Sequence, residues 1–314
     1  MRCAAGGVNF NSGTDLAVCL EALRAQRRPV RVVVVDCASS DASRAVAACP
    51  QAGVTSRLLE SNAGFSGGCN VGLEALGDDA DVVGFFNPDC FPEPEFFDRC
   101  CAALERSDRN GGVAGRLMRP GGALLDSCGQ SLTPLLLRVR DRGYGQPEKG
   151  AFCEPEKVLA ACGAAMVFRR VALCDVAVDG RTFPDEFFAF WEDLDVGWRL
   201  RNAGWDIVYE PTARAVHRRG GTAAPGTGRL IFRRPPPLAA CILLNRWATL
   251  LRNCHSLDLV PRLPLLLLAD LALTAAVACR RPQVLAFLRR GIWRARLAAR
   301  QRRHLQQRRL EGRQ

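Results

Sequence analysis

The chain has 314 residues, of which 48% are hydrophobic, and a formal net charge of +11. This length can hold one domain of roughly 220 residues together with an appendage. Its 15 cysteines include no Cys-x-x-Cys pair and several stand in apolar runs, which excludes a disulfide scaffold and predicts small buried side chains in a reducing compartment. Residues 1–10 lack the apolar core of a secretory signal, so an intracellular enzyme is expected.

Two apolar segments in the first third of the chain each lead into an aspartate. Residues 32–35 are four valines followed by Asp36, and residues 82–86 lead into Asp89. Such runs predict buried parallel strands, and the βαβ rule places their carboxyl ends at one edge of a sheet. A carboxylate after a strand is most often a helix N-cap. Two at one edge instead predict a ligand site, where oxygen atoms suit Mg²⁺ or Mn²⁺ bound to phosphate.

Between these strands lies a glycine-rich segment, residues 62–70. It predicts a loop that lets backbone approach a ligand, followed by a helix over residues 71–76. The same segment contains a Gly-x-Ser-x-Gly pattern centred on Ser66, which is typical of the nucleophile elbow of hydrolases. Three residues separate the pattern from a strand predicted over residues 57–60, whereas an elbow turns directly from strand into helix. A hydrolase using Ser66 is therefore the alternative from another enzyme class.

Residues 187–200 combine an aromatic run with an acidic helix start. Three apolar residues spaced at i, i+3 and i+7 predict a buried helical stripe: Trp191, Leu194 and Trp198. Asp195 can pair with Arg199 four residues on. Glu192 and Asp193 lack such a partner in the local sequence, and the aromatic run before them predicts dry surroundings. These two carboxylates are the candidates for chemistry.

His217 is one of only 3 histidines in the chain. An isolated histidine after a strand is usually a surface or hydrogen-bonding residue. Here a predicted strand over residues 207–216 returns it toward the sheet, and Arg218 and Arg219 follow as cations suited to a phosphate. The setting favours a role at the sheet edge.

The positive charge is concentrated at the end of the chain. Residues 280–314 hold twelve arginines and one acid, a net of +11 that equals the charge of the whole chain. Ahead of them, residues 263–279 are apolar but interrupted by Pro264 and Asp270, and shorter than the ~20 residues that a spanning helix needs. This segment is expected to lie on a membrane or pack against protein, with the arginines drawn to anionic lipid.

Two other interpretations of the arginine-rich tail stay open. It could bind nucleic acid, although no recognition motif accompanies it, so no nucleic-acid partner is expected. It could also be a solvated helix that packs on a partner. Residues 221–237, rich in Gly, Pro and Arg, predict a mobile loop between this tail and the rest of the chain.

Seven short motifs occur in a fixed order: residues 8–12, residues 35–41 around Asp36, residues 62–70, Asn87-Pro88-Asp89, residues 162–166, Glu192-Asp193 and His217. In this order they resemble those of family-two inverting glycosyltransferases of the GT-A fold. The chain is similar to the bacterial rhamnosyltransferase-like branch over about residues 5–220. Two departures are Asn87, which replaces the first acid of the usual Asp-x-Asp, and Cys37, which stands where an Asn is common.

The resemblance implies a role for each motif. Residues that would contact the nucleotide sugar are Asn9, Phe10, Asn11, Asp36, Asn62, Gly64, Phe65, Asn70 and Asn87. Asp89 and His217 would hold the Mg²⁺ or Mn²⁺ that bridges the diphosphate. Asp193 would be the catalytic base with Glu192 beside it, and Gly163 and Trp191 would border the acceptor.

The fold expected from this resemblance is an α/β GT-A sheet, mostly parallel and flanked by helices, over residues 1–220, with a helical tail over residues 238–314. The expected function is transfer of a sugar, rhamnose from dTDP-rhamnose, to a saccharide or polyprenyl-linked acceptor in cell-envelope polysaccharide synthesis. The enzyme would be cytoplasmic and peripheral on the inner face of the plasma membrane, bound through residues 263–314. Alternatives are a UDP- or GDP-linked donor, a nucleotidyltransferase of the same fold, or a non-catalytic membrane-binding module.

Overall fold

A computed structural model describes residues 1–49, 53–150, 152–219 and 230–311 of the chain. The strands in the described residues are β1 (Cys3–Asn9), β2 (Val30–Asp36), β3 (Val54–Leu58), β4 (Val82–Phe86), β5 (Cys90–Pro92), β6 (Asn110–Met118), β7 (Leu125–Ser127), β8 (Gln130–Leu132), β9 (Val139–Asp141), β10 (Glu156–Val158), β11 (Ala165–Arg169) and β12 (Asp206–His217).

The helices are α1 (Asp15–Arg24), α2 (Ala42–Ala48), α3 (Gly64–Ala75), α4 (Phe96–Glu105), α5 (Arg170–Asp175), α6 (Glu192–Asn202), α7 (Pro236–Asn253), α8 (Ser256–Leu259), α9 (Leu263–Arg280), α10 (Gln283–Gly291) and α11 (Trp293–Glu311). Short 3₁₀ turns lie at Asp185–Phe187, Leu230–Phe232 and Val260–Arg262.

One large sheet has the strand order β10-β12-β6-β11-β4-β1-β2-β3, with β5 paired to β12 and β7 paired to β6. Strands β4, β1, β2 and β3 are parallel to one another, and β6 is parallel to β12. Strand β11 is antiparallel to both β4 and β6, so these two run in the same direction. The carboxyl ends of β1, β2, β4, β6 and β12 therefore meet at one edge, which we call the site edge. The predicted, mostly parallel α/β sheet is confirmed.

Strand β2 shows why the sheet has helices on both faces. Its side chains alternate, so that Val32 and Val34 join one core cluster while Val33 and Val35 join another. The first cluster contains residues of α1 and α4, and the second contains residues of α3, α5 and α6. Because each buried valine contributes about 1.5–3 kcal/mol relative to an exposed one, four in a row fix β2 in the sheet interior.

The predicted glycine-rich loop is wrong in its extent, because α3 begins at Gly64 and includes most of the segment. A Cβ on Gly68 would lie 2.4 Å from Cγ1 of Val8, and one on Gly67 would lie 2.8 Å from Cβ of Ala63. Gly68 therefore lets α3 approach strand β1 closely, and Gly67 leaves room for the side chain of Ala63 at the start of the same helix. Strand β3 also ends at Leu58, two residues earlier than predicted.

The C-terminal helices pack on the rest of the chain. Helix α7 begins at Pro236, because a proline suits the first turn of a helix. The helix therefore includes the last two residues of the loop predicted over residues 221–237. Residues 221–229 of that loop lie outside the described residues. Among the described residues, one helical run of 25 residues, Ser256–Arg280, is long and apolar enough by length and composition to cross a membrane, and 17% of its most apolar window is buried.

Candidate active site

Asp193 lies in the first turn of α6, and its carboxylate is held by donors from two other parts of the chain. Its Oδ2 accepts 2.8 Å hydrogen bonds from Nε2 of Gln130 on β8 and from the backbone N–H of Gly163. A Cβ on Gly163 would lie 3.2 Å from that oxygen, so glycine allows the close approach. Burial raises the pKa of Asp193, and the hydrogen bonds from the backbone N–H groups of Gly163 and Leu194 and from Gln130 oppose the rise.

The aromatic run before α6 forms a turn in the left-handed region of backbone space. Phe188, Phe190 and Trp191 have φ angles of 61°, 72° and 75°, a conformation that costs free energy in residues other than glycine. The side-chain amide of Asn245 on α7 lies 2.9 Å from the carbonyl oxygens of Phe187, Ala189 and Phe190. Helix α7 thus supports the turn that positions Asp193.

Glu192 stands beside Asp193 but points into the protein interior. It is buried, and its Oε2 has no hydrogen-bond partner among the described residues. Burial first, and then the charge of Asp193, raise the pKa of Glu192 well above its usual range. Burial and the neighbouring charge thus disfavour the ionised form of Glu192, whereas three hydrogen-bond donors, from Gly163, Leu194 and Gln130, favour the carboxylate of Asp193.

Asp89 and His217 meet at the site edge, as predicted. Nε2 of His217, at the end of β12, lies 3.4 Å from Oδ1 of Asp89, and its Nδ1 lies 2.8 Å from Oδ2 of Asp126 on β7. Burial opposes a charged ring, but hydrogen bonds with Asp126 and Asp89 outweigh it and raise the pKa of His217 to about 9. Asp126 also fixes the ring orientation.

The pair of Asp89 and His217 would fit a divalent cation that displaces the proton from Nε2 of His217, because a histidine ligand has to be neutral. The carboxylate of Asp126 contacts Nδ1 of His217, so Nε2 is directed at Asp89. Metal-binding histidines commonly have a carboxylate on the ring nitrogen that does not bind the metal. In the described part of the chain no cluster of three His, Cys, Asp or Glu side chains has metal-binding geometry. Phosphate oxygens and water would complete the coordination, as is usual for Mg²⁺.

Two carboxylates behind this pair, Asp126 and Asp141, were not predicted from the sequence, and Arg219, expected as a cation for a phosphate, pairs with both of them. The carboxylate of Asp126 accepts a 2.5 Å hydrogen bond from Nε of Arg219, whose other end lies 2.8 Å from Asp141 on β9. The opposite charges of Asp126 and Asp141 outweigh burial and raise the pKa of the Arg219 guanidinium. Asp126 lies in a three-residue strand without a motif, so only the tertiary contact reveals it.

The predicted nucleotide residues at the ends of β1 and β2 form one hydrogen-bonded group. Nδ2 of Asn9 lies 2.7 Å from Oδ1 of Asp36, and Oδ2 of Asp36 accepts hydrogen bonds from the Ser39 N–H and from Arg44. Asp36 is fully buried, so a contact between its carboxylate and a nucleotide base stays a prediction. Asn11 accepts a 2.7 Å hydrogen bond from the backbone N–H of Ser40, which ties the two strand ends together.

The amide residues around α3 have structural partners. Oδ1 of Asn62 accepts a 2.8 Å hydrogen bond from the N–H of Gly64, at the start of the helix. Asn70 is buried and exchanges hydrogen bonds with both backbone groups of Phe183 and with Asp185, so it holds the segment before the aromatic turn. The conformation of Gly64 (φ 71°) and its close approach to Phe188 leave no room for a side chain.

The other predicted contact residues differ in exposure. Phe10 is 50% exposed at the end of β1, which leaves an aromatic face open to a ligand. Asn87 and Phe65 are half-buried. Trp191 is 7% exposed, so its contact with an acceptor stays a prediction.

Ser66 does not have the geometry of a hydrolase nucleophile. It is fully buried inside α3, and its Oγ has no hydrogen-bond partner in the described part of the chain. A nucleophile elbow exposes its Oγ at the top of a sheet.

Comparison with known sequences identifies the family. The sequence profile of Glycosyl transferase family 2 matches residues 8–176. The N-acetylglucosaminyl-diphospho-decaprenol L-rhamnosyltransferase of Mycobacterium tuberculosis is 30% identical over 250 residues, covering 71% of this chain and 76% of the relative.

Three solved structures are similar to the fold. TarS 1-349 of S. aureus in complex with UDP-GlcNAc has a TM-score of 0.56 at 14% identity and covers 99% of this chain and 92% of its own. The mannosyltransferase PcManGT of Pyrobaculum calidifontis, with GDP-Man and Mn²⁺, has a TM-score of 0.53 at 17% identity, with 95% and 86% covered. GalNAc-T7 with UDP, GalNAc and Mn²⁺ has a TM-score of 0.59 at 12% identity. The match covers 80% of this chain and 47% of the GalNAc-T7 chain. The profile match and the mycobacterial relative show that this chain belongs to glycosyl transferase family 2, and it is a glycosyltransferase of the GT-A fold.

Proposed function

We propose that this glycosyltransferase moves rhamnose from dTDP-rhamnose to a lipid-linked saccharide in cell-envelope polysaccharide synthesis, with inversion at the anomeric carbon. The observation that carries the chemistry is the carboxylate of Asp193, held at 2.8 Å by Gln130 and Gly163 near the edge where Asp89 and His217 meet. The rhamnosyl donor and the lipid-linked acceptor rest on the name of the mycobacterial relative. A UDP- or GDP-linked donor is the alternative.

Asp193 acts as the general base. It accepts the proton of an acceptor hydroxyl while that oxygen attacks the anomeric carbon and the bond to the nucleoside diphosphate breaks. Burial raises the pKa of its carboxyl, which makes the carboxylate a stronger base. The two donors on Oδ2 fix the carboxylate orientation, so that proton transfer needs no rearrangement of the side chain.

Asp89 and His217 would hold Mg²⁺ or Mn²⁺, which neutralises negative charge on the departing diphosphate. Two protein ligands with phosphate oxygens are a common arrangement for these ions. Two of the structurally similar glycosyltransferases were solved with Mn²⁺. Asn87 adds no charge, so Asp89 and the phosphates would supply the negative ligands.

The surface of the C-terminal helices supports a place on the inner face of the plasma membrane. Large apolar side chains are exposed on α8, the adjoining 3₁₀ turn, α9 and the junction of α10 with α11: Leu257, Val260, Leu265, Leu267, Leu268, Leu271, Ile292 and Trp293. We call this set the apolar surface. Exposed arginines such as Arg289 and Arg296 accompany it, and each contributes roughly 1 kcal/mol near an anionic membrane. A protein of this kind is peripheral, with its active site in the cytoplasm.

Contacts of α9 with the rest of the chain favour peripheral binding over spanning. Leu266 and Val277 are buried in contact with other helices, and Asp270 forms an ion pair with Arg246 of α7. Breaking this pair to insert α9 into a bilayer would leave charges unpaired, which is costly in a low-dielectric medium.

A screen of nucleotide sugars in the presence of Mn²⁺ tests the proposal. Tight binding of dTDP-rhamnose, followed by its transfer to a lipid-linked acceptor, is the expected result. Selective binding and transfer of a UDP- or GDP-linked sugar would replace the donor and keep the reaction class. Hydrolysis that is lost in Ser66→Ala would instead support the hydrolase.

A further inference from the structure

A groove of about 580 Å³ lies between α9 and the turn that joins β8 to β9. Its walls are mostly small or apolar, with Ala272 and Ala276 on one side and Leu136 and Phe232 on others. A volume of this order is typical of sites for small-molecule ligands, which are mostly apolar with a few placed polar groups. The groove thus has the size and composition of a binding site.

Two arginines line the same groove. Arg138 comes from the turn between the strands and Arg280 from the end of α9. In the described part of the chain neither guanidinium forms an ion pair with a carboxylate, although Arg280 lies over the ring of Phe232 at 5.4 Å. Guanidinium groups without acidic partners bind phosphate oxygens well, because their planar donors match two oxygens at once.

The groove is built on a rigid support. Arg246 of α7 donates to the carbonyl oxygen of Leu136 in one wall and pairs with Asp270 under the other wall. Arg246 therefore ties two walls of the groove, the turn and α9, to α7 without using Arg138 or Arg280. A site formed in this way needs little ordering when a ligand binds.

The groove opens beside the apolar surface. At 100° per residue along α9, Ala272 and Ala276 lie on a face adjacent to the exposed Leu268. A long hydrocarbon chain could therefore pass from a lipid layer into the groove without crossing polar surface. The arginines would meet the polar end of the same molecule.

The hairpin of β8 and β9 links the groove to the catalytic base. Gln130, which donates to Asp193, stands three residues before Thr133. The backbone N–H of Thr133 donates a 2.9 Å hydrogen bond to the carbonyl oxygen of Arg138 across the hairpin. At about 3.4 Å per residue, the backbone of Arg138 is thus about 10 Å along the strand from that of Gln130. One sugar attached to a diphosphate covers a distance of this order.

We propose that this groove binds the lipid-diphosphate end of the acceptor, with the first isoprene units along Ala272 and Ala276 and the diphosphate on Arg138 and Arg280. This rests on the proposed lipid-linked acceptor and adds where its carrier binds. The sugar on the diphosphate would then be presented to Asp193, which takes the proton of its hydroxyl. The donor nucleotide would bind elsewhere, at the ends of β1, β2 and β4.

Farnesyl diphosphate, which has three isoprene units, is a probe for the groove. Its binding to the full-length protein can be measured by calorimetry, in parallel with nucleoside diphosphate and Mn²⁺. Arg138→Gln combined with Arg280→Gln should weaken farnesyl diphosphate binding at least ~10-fold, because two charge-assisted contacts are lost. Arg138→Lys should keep part of the affinity, since it keeps the charge.

A variant that fills the groove distinguishes binding of the hydrocarbon chain from binding of the phosphate groups. Ala272→Trp should weaken farnesyl diphosphate binding and leave inorganic pyrophosphate binding unchanged, because only the hydrocarbon needs the space. Arg289→Gln removes one charge from the same tail outside the groove, so this matched control should bind like the wild type. All variants should bind nucleoside diphosphate with Mn²⁺ normally, which reports that they are folded.

Three results would overturn the assignment. These are equal farnesyl diphosphate binding by the wild type and the double variant, equal weakening by Arg289→Gln, and competition between farnesyl diphosphate and nucleoside diphosphate for one site. If the groove variants behave as expected but no sugar transfer to any lipid-linked acceptor is found, the groove stands and the proposed function fails. If transfer occurs with an unchanged KM for the acceptor in the double variant, the function stands and the groove is wrong.

Discussion

The side-chain amide of Gln130 donates a 2.8 Å hydrogen bond to the carboxylate of Asp193, across 63 residues of sequence. This contact joins the hairpin of β8 and β9 to the start of α6. It also lowers the pKa of Asp193 against the effect of burial, which raises it. Gln130 is thus a positioning residue for the proposed base.

Gln130→Met should move the pH dependence of turnover. Without the amide donor the pKa of Asp193 rises further, so the acid limb of the kcat profile should shift to higher pH. The kcat profile measured between pH 5 and 9 checks this. Ser131→Ala on the same strand is the control and should keep the wild-type profile. An unmoved acid limb in Gln130→Met would show that the amide does not act on the base.

Asp126→Asn should weaken the metal site without touching its ligands. The carboxylate of Asp126 orients the ring of His217, and loss of such a contact lowers metal affinity about 10–100-fold. EDTA should abolish transfer by the wild type, and titration of Mn²⁺ back should need a higher concentration in the variant. Asp141→Asn, which contacts Arg219 but not His217, is the matched control. Full activity in EDTA would mean that cationic side chains such as Arg218 replace the metal.

Glu192→Gln should stabilise the protein increasingly as pH rises. The folded pKa of Glu192 lies well above the unfolded value of about 4.3, so the folded state binds more protons and stability falls as pH rises between the two. Glutamine has the same shape and does not titrate. The difference in Tm between variant and wild type should therefore be larger at pH 8 than at pH 5.

Glu60→Gln, at an exposed glutamate, is the control for the loss of a carboxylate. A pH-independent difference for Glu192→Gln would contradict a raised pKa. Turnover of Glu192→Gln tests the predicted catalytic role at the same time, since a structural acid leaves kcat close to that of the wild type.

Leu268→Glu combined with Leu271→Glu should release the protein from anionic vesicles. Both side chains are more than 60% exposed on the apolar surface, at 67% and 66%, so the change should not disturb folding. Donor nucleotide affinity should be unchanged. High salt should remove the wild type only in part, because apolar contacts are not screened. Sedimentation with vesicles measures both effects.

Val171→Glu places the same charge on an apolar residue that is 59% exposed on α5, away from the apolar surface. It should bind vesicles like the wild type. Equal binding by the double leucine variant would show that the apolar surface does not contact lipid. A truncation at residue 234 is a poorer test, because it removes Asn245, which supports the aromatic turn before Asp193.

Local patterns predicted much of the fold and the proposed metal pair. The four valines before Asp36 gave a buried strand because β-branched residues on both faces suit a parallel sheet. The pairing of Asp195 with Arg199 followed from their spacing, and the two lie 2.9 Å apart. Asp89 and His217 both lie at the predicted edge, and they meet because β5, which begins directly after Asp89, pairs with the end of β12.

Contacts between distant segments could not be predicted from the sequence. Gln130, Asp126 and Asn245 belong to no motif, and each acts through a partner more than 50 residues away. The start of α3 was missed because glycines disfavour a helix locally, whereas close packing on Val8 requires them. Tertiary packing outweighed propensity there.

The most direct test of the account is single-turnover transfer by Asp193→Asn, with dTDP-rhamnose, Mn²⁺ and a lipid-linked acceptor. Asparagine keeps an oxygen for the donors from Gln130 and Gly163 but cannot accept the proton. We expect unchanged donor affinity and a rate lower by about 10²–10⁴, the usual share of general base catalysis. A rate close to that of the wild type would contradict the assignment of Asp193 as the base.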